Sequence, residues 1–101
     1  MPVAQVFGGW QAHPLDHRKG EDEMGLWDRK LSEAKQDGLH SSIQREGVQS
    51  PVILQHPAHA AAHGLARPYV VEGHHRLASA LDSAPSGHVP VQFLNHDMAV
   101  Q

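Results

Sequence analysis

The sequence lacks cysteine, and this absence excludes disulfide bonds, thiolate metal sites and cysteine nucleophiles. Within its 101 residues it also has no apolar run long enough to cross a membrane. Residues 1–10 lack the basic segment followed by an apolar stretch that marks a secretion signal. A chain of this length predicts one domain, and together these absences make the cytoplasm its expected location.

A basic excess is also missing, because the formal net charge is −3. Proteins that hold DNA by its backbone carry a clear positive excess, so the charge argues against extensive nonspecific DNA binding. Histidine, by contrast, is abundant, with ten in the chain. Imidazole ordinarily titrates near pH ~6.5, so we expect the positive charge of the protein to rise below that pH.

The first half of the chain divides into an arm and two helices. Glycine, proline and the lack of a sustained period predict an irregular arm over residues 1–20, with a short edge strand around residues 3–7. A single domain is expected over residues 21–101. Residues 22–36 predict a helix that Asp22 caps. Its apolar stripe is formed by Trp27, Leu31 and Ala34. A second helix is predicted over residues 39–46, between two glycines.

The second half alternates strands with other segments. Residues 52–54 and 69–71 are rich in β-branched side chains, and residues 89–93 alternate with period two as a third core strand. Residues 56–68 lie between prolines and predict a loop. A helix is expected from His74 to about residue 83. The fold class predicted by this order is α+β, with a small mixed sheet and packed helices.

The segment Glu72-Gly73-His74-His75-Arg76 joins a predicted strand to a predicted helix. The first N–H groups of a helix have no internal partners and lie at the positive end of the helix dipole. Glycine lets a ligand approach the backbone, Arg76 offers a planar fork for phosphate oxygens, and His74 and His75 add donors. The spacing favours phosphate binding, although such turns are common and a first-turn arginine is often only solvated.

Glu72 is an acceptor in a segment otherwise rich in donors. It is our candidate ligand for a metal such as Mg²⁺, and Glu72 and His75 are the candidate catalytic acid–base residues.

Several concordant segments resemble the ParB/sulfiredoxin superfamily. They are Ser42-Ile43, Gly47-Val48, Pro51-Val52, the run Tyr69-Val70-Val71-Glu72-Gly73-His74-His75-Arg76-Leu77-Ala78 and Val89-Pro90-Val91. The resemblance covers roughly residues 39–94, and it is to the N-terminal, ParB-like nuclease domain of chromosome-partitioning proteins. It implies a ParB/sulfiredoxin-like fold. Compact stand-alone copies are common in bacteriophages, so it also implies a phage source.

In ParB proteins the matching Gly-Glu-Arg-Arg segment holds the triphosphate of CTP. The resemblance therefore implies that Gly73, His75 and Arg76 bind phosphate, with His74 in place of the glutamate and His75 in place of one arginine. In sulfiredoxins the residue matching His74 is the nucleophilic cysteine, so that activity is excluded. The free-serine kinases of the superfamily carry Asp-Gly-His-His-Arg, in which Glu72 replaces the aspartate, and they make ATP or ADP a further candidate ligand.

The family fold also implies that Ser42 and Arg45 lie on a helix that faces this junction, where they would assist in binding phosphate. Complete partition proteins carry a helix-turn-helix domain and a dimerisation domain, for which 101 residues leave no room.

His56, His59 and His63 would share one face if their segment were helical, and could then hold Zn²⁺ or Ni²⁺. Pro57 and Gly64 interrupt the segment, so solvated loop histidines are the favoured interpretation. The two tryptophans are interpreted as packing residues rather than as platforms for nucleic-acid bases.

Three functions follow from these observations. The first is binding of a nucleotide such as CTP, ATP or ADP, or of another phosphate ligand, with phosphotransfer or nucleotide hydrolysis as an extension. The second is a non-catalytic module that binds a host or phage protein. The third is a DNA nuclease, which the negative charge disfavours.

Overall fold

The computed structural model describes residues 1–94, and in that part of the chain five helices surround a three-stranded sheet. The helices are α1 (Val3–Gly9), α2 (Glu23–Gln36), α3 (Leu39–Glu46), α4 (Pro57–Ala62) and α5 (His74–Ser83), and the strands are β1 (Val52–Leu54), β2 (Val70–Glu72) and β3 (Val91–Phe93). A short 3-10 turn occupies Pro14–Asp16. The predicted α+β class is therefore confirmed. The predicted end of the domain at residue 101 lies outside the described residues.

The sheet is mixed, with β1 in the centre. β2 pairs antiparallel with β1, so that Ile53 faces Glu72, and β3 pairs parallel with β1, so that Val52 faces Val91. Parallel pairing requires a crossover between the two strands. That crossover contains α5, which consequently packs across β1.

Helices α2 and α3 begin and end where the sequence predicts. The Asp22 carboxylate accepts the backbone N–H of Gly25 at 2.7 Å, which caps α2, and Gly38 and Gly47 adopt positive φ at the two ends of α3. Of the predicted stripe of α2, Ala34 is buried and Trp27 is partly buried against the core, but the buried positions beside them are Leu26 and Lys30 rather than Trp27 and Leu31. The buried face consists of Leu26, Lys30 and Ala34.

The predictions of an irregular arm over residues 1–20 and of a short edge strand around residues 3–7 are wrong for residues 3–9, which form α1. Val3 and Val6 are completely buried, and Trp10 joins them in the core. The backbone N–H of Val3 also donates to the Gly87 carbonyl at 3.0 Å. Tertiary packing of this apolar face outweighs the weak helix propensity of valine and glycine, which local sequence cannot reveal.

Two further predictions need correction. Residues 57–62, predicted as loop, form α4, because proline suits the first position of a helix and His56 caps it by accepting the N–H of Ala58 on Nδ1. The segment over residues 89–93, predicted as a core strand, is an edge strand. Val89 is buried, but it precedes β3, and Phe93 is exposed.

The main core lies between the sheet, α1 and α5. Its members are Val3, Val6, Trp10, Val52, Leu54, Val70, Leu77, Ala80 and Val89. Full burial of a side chain of leucine size contributes about 2 kcal/mol, so this cluster supplies most of the apolar stabilisation. Within residues 1–94, no helix combines the length and the apolar character that a membrane span requires.

Candidate functional site

The Gly73 turn (residues 72–76) joins β2 directly to α5. Gly73 adopts φ +102°, a left-handed conformation that side chains rarely tolerate. A Cβ at this position would lie 3.0 Å from Cγ1 of Val52 and 3.2 Å from Nη2 of Arg76. Both the conformation and the limited space therefore require glycine at position 73. With glycine there, β2 can end while it is still paired with β1, and α5 can begin at the next residue.

The start of α5 has no side-chain cap, and no acidic residue occupies its first turn. The first backbone bond of the helix is donated by Leu77 to the Gly73 carbonyl at 2.9 Å. The N–H groups of residues 74–76 precede that bond, so they have no acceptor inside the helix. They form a group of donors at the positive end of the helix dipole.

The His74 side chain is turned into the protein. Its Nε2 accepts the backbone N–H of His13 at 3.1 Å, and its ring stacks on Trp27 with centroids 5.5 Å apart. Burial lowers the pKa of His74 to about 4, which keeps the ring neutral at neutral pH. Since Nε2 is an acceptor, the ring proton lies on Nδ1. His74 therefore offers only its backbone N–H at the turn.

The His75 side chain is half-exposed and pairs with Glu33 of α2, with Nε2 and Oε1 2.9 Å apart. The hydrogen bond from His75 lowers the pKa of Glu33, so Glu33 is an ionised acceptor at neutral pH. Nε2 of His75 must then carry the proton. In the neutral ring Nδ1 is an acceptor, and His75 becomes a second donor only when it is doubly protonated.

The Arg76 guanidinium folds back over the turn. Its Nη2 donates to the Pro51 carbonyl at 3.0 Å, which holds the group beside Gly73. Its Nε is buried and has no hydrogen-bond partner among the described residues. An arginine has five N–H donors in one plane, so this arrangement leaves donors for a ligand next to the uncapped amides.

Glu72 is the exposed last residue of β2. Mg²⁺ is commonly held by one or two carboxylates together with the phosphates of its substrate. A single exposed carboxylate such as that of Glu72 is compatible with this pattern. Within residues 1–94, no group of three or more histidine, aspartate or glutamate side chains is arranged to hold a metal. The same finding covers His56, His59 and His63, which do not form such a group.

Ser42 and Arg45 belong to α3, which contacts α5 well beyond the turn. His40 of α3 lies against Ser79 and Asp82 in the second half of α5. Arg45 is exposed and Ser42 is half-buried. The residues that face the beginning of α5 come instead from α2 and the 3-10 turn.

Charged residues that the sequence did not single out lie behind the turn. Lys30 is 8% exposed, and its Nζ lies 3.0 Å from Oδ1 of Asp16. Oδ2 of the same carboxylate lies 3.8 Å from Nε2 of His74. Burial is the largest influence on Asp16 and opposes its ionisation, but the hydrogen bond and charge of Lys30, together with the neighbouring imidazoles, outweigh it and the pKa is lowered. A lysine on an apolar helix face was the available signal, because such a residue needs a buried partner.

The packing interpretation of the tryptophans is confirmed. Trp10 donates through Nε1 to the Gln55 carbonyl at 2.8 Å, and Trp27 donates through Nε1 to Oε2 of Glu23 at 2.9 Å. Trp27 also contacts Phe7 edge-on. Both indoles are thus satisfied inside the protein.

Comparisons of the chain with models of known protein families, with curated proteins and with solved structures each found no match.

Proposed function

We propose that the Gly73 turn binds a phosphate group, as part of a ParB/sulfiredoxin-like domain, and that its ligand is a nucleotide such as CTP, ATP or ADP or another phosphate-bearing molecule. The observation that carries the proposal is the uncapped start of α5 beside the Arg76 guanidinium. Backbone N–H groups, a helix dipole and a planar guanidinium are the groups that bind phosphate in proteins.

The roles within the turn are unequal. Gly73 lets a ligand approach the backbone, and His74 and Arg76 supply backbone N–H donors. Arg76 also contributes its guanidinium group. His75 adds a second side-chain donor only when doubly protonated, because Glu33 already accepts from its Nε2. In the tautomer with the proton on Nε2, Nδ1 of His75 is an acceptor, which suits the role of a base.

A catalytic extension of the proposal assigns Glu72 and His75 to acid–base chemistry. Glu72 would also hold Mg²⁺ against the phosphates of a bound nucleotide. The exposure of Glu72 supports access by such a complex. Ser42 and Arg45 remain assigned to this site only by the family resemblance.

Isothermal titration calorimetry with CTP, ATP, ADP and inorganic phosphate, each with and without Mg²⁺, tests the binding proposal. We expect saturable heat with at least one ligand, and Arg76→Gln should weaken that binding at least tenfold, since charge-assisted hydrogen bonds contribute about 1.5–3 kcal/mol. Lys35→Gln is the matched control, because it removes one exposed positive charge from the last turn of α2, outside the Gly73 turn, and should leave binding unchanged.

Absence of heat with all four ligands, together with an unchanged melting temperature, would overturn the proposal. Equal weakening by Arg76→Gln and Lys35→Gln would also count against it. That result would indicate attraction of anions by the whole surface rather than by the turn.

Binding of a protein partner is the second candidate, and exposed apolar side chains favour it. Leu15 of the 3-10 turn is 89% exposed, and Met24 at the start of α2 is 73% exposed. Such side chains are often found where proteins bind partners. Capture of one protein from a host lysate, lost on Leu15→Ser and Met24→Ser but retained by Arg76→Gln, would favour this function over phosphate binding. A DNA nuclease ranks third among the candidate functions, because the net charge of −3 argues against binding to duplex DNA.

The cytoplasm is the location that we propose for the protein, because the sequence lacks cysteine.

A further inference from the structure

A cavity of about 490 Å³ lies between α1, α3 and the second half of α5. We name it the α3–α5 cavity. It is lined by Val3, Ile43, Gln44, Gly47, Val48, Ala80, Ser83, Ala84 and His88. The ten residues of α5, from His74 to Ser83, span roughly 15 Å, and the cavity lies at the end of this helix away from the Gly73 turn.

Five of the nine lining residues of the α3–α5 cavity are aliphatic, and among residues 1–94 none of the lining carries a carboxylate, ammonium or guanidinium group. Its floor is well buried, because Val3 is 1% exposed and Ala80 is 5% exposed. A charged ligand would lose hydration here without finding an opposite charge. The lining therefore selects an uncharged molecule with an apolar body.

Three lining residues carry polar groups. The Ser83 hydroxyl is buried and has no hydrogen-bond partner within residues 1–94. Buried hydroxyls are nearly always paired, so the Ser83 hydroxyl has hydrogen-bonding capacity left for a group that enters the cavity. The exposed amide of Gln44 and the exposed imidazole of His88 add donors and acceptors at the same cavity.

We infer that the α3–α5 cavity binds a small uncharged molecule that has an apolar body and a hydrogen-bonding group for Ser83. The volume lies within the range of about 300–1,000 Å³ that small-molecule sites occupy. An apolar lining with a few polar groups is also the composition typical of such sites. The inference is independent of phosphate binding at the Gly73 turn.

The probe for a test is N-phenyl-1-naphthylamine, which is uncharged, aromatic and has one N–H group. We expect its fluorescence to rise saturably with the full chain, and the amide signals of Val3, Ile43 and Ala80 to shift in ¹⁵N-resolved NMR spectra. Gln44→Phe should weaken binding at least tenfold by filling the cavity. Ser41→Phe, on the exposed side of the same helix, is the matched control and should bind as the natural chain does.

Ser83→Ala should weaken binding about fivefold, which corresponds to one hydrogen bond. If the unfolding transition shows that Gln44→Phe does not fold, Ala84→Phe is used in its place, because this change fills the cavity from the end of α5. The inference is overturned if the fluorescence does not rise, or if the shifted amides cluster at Leu15 and Met24. Unchanged binding to a folded cavity-filling variant, or to Ser83→Ala, overturns it equally.

Discussion

The backbone N–H of His13 donates to Nε2 of His74 at 3.1 Å, a bond that joins the segment before the 3-10 turn to the beginning of α5. It requires Nε2 to be unprotonated. The same imidazole is buried against Trp27, so protonation would both break the bond and create a charge that water cannot hydrate, which the nearby Asp16 carboxylate offsets only in part. The attachment of the N-terminal residues to α5 is therefore sensitive to acid.

The first prediction concerns how the free energy of unfolding depends on pH. Since burial lowers the pKa of His74 from 6.5 to about 4, its contribution to stability is complete above pH ~6.5 and is lost as the pH falls towards 4. The loss should reach about 2 kcal/mol near pH ~4.5. Urea unfolding followed by circular dichroism at successive pH values measures it.

His74→Gln provides the control, because its amide oxygen can still accept the N–H of His13 but does not titrate. This variant should lose most of the dependence on pH between about 6.5 and 4.5. The exposed His88→Gln should retain it. Carboxylates with lowered pKa, such as Glu33, lose their contribution only below about 4.5, so they do not obscure this window. A pH profile of His74→Gln that matched the natural chain would refute the assignment.

Some elements of the fold were predictable because their signals are local. Asp22 at the start of α2 and the glycines around α3 act within one turn of the helix they limit. α1 was not predictable, because Val3 and Val6 become helical through contacts with residues distant in sequence. The face of α2 was misplaced because the sequence does not show that Lys30 is buried by pairing with Asp16.

The second prediction concerns that pair. Asp16→Asn should destabilise the protein by about 1–3 kcal/mol, because it leaves the buried Lys30 ammonium with a weaker partner. In a double-mutant cycle with Lys30→Met, we expect a coupling energy of about 1 kcal/mol, since one side of the pair is partly exposed. Arg18→Gln is the comparison, because Nη2 of Arg18 lies 3.9 Å from Glu33 in an exposed pair. Coupling between Asp16 and Lys30 that is indistinguishable from zero contradicts the prediction.

The third prediction concerns the contact between α3 and α5. Nδ1 of His40 lies 2.6 Å from Oγ of Ser79, which is 0% exposed, and Nε2 of His40 lies 3.2 Å from Asp82. Ser79→Ala should cost about 1–3 kcal/mol, because it leaves a buried imidazole nitrogen unpaired. Combining it with His40→Phe should cost less than the sum of the two single changes. Thermal unfolding gives the loss of stability of each variant. Ser41→Ala, on the exposed side of α3, is the control and should change the stability little. If the losses of the two single changes add in the double variant, that result would argue against this pairing.

The fourth prediction separates conformational strain from contact at the Gly73 turn. Gly38 also has positive φ, +79°, but a Cβ there would meet nothing within 4 Å. Gly38→Ala should therefore cost about 1 kcal/mol through strain alone. Gly73→Ala should cost at least twice as much, because its Cβ would press on Val52 and displace Arg76. Equal melting temperatures for the two variants would show that the turn tolerates a side chain.

The candidate site was only partly predictable. Strand, glycine and helix follow one another along the chain, so the sequence alone indicated the uncapped turn at Gly73. The partners of its side chains come from elsewhere: Glu33 reaches His75 from α2, and Pro51 reaches Arg76 from the segment before β1. Such contacts depend on how segments distant in sequence pack together, and the spacing of residues along the chain does not show that packing.

The position of α1 has a consequence for the order in which the domain folds. Apart from Trp27, which contacts Phe7, the main apolar partners of α1 come from residues 52–89. Contacts between segments so distant in sequence form only after a long stretch of chain has been closed into a loop. We therefore expect α1 to dock late in folding, onto a sheet and an α5 helix that have already come together.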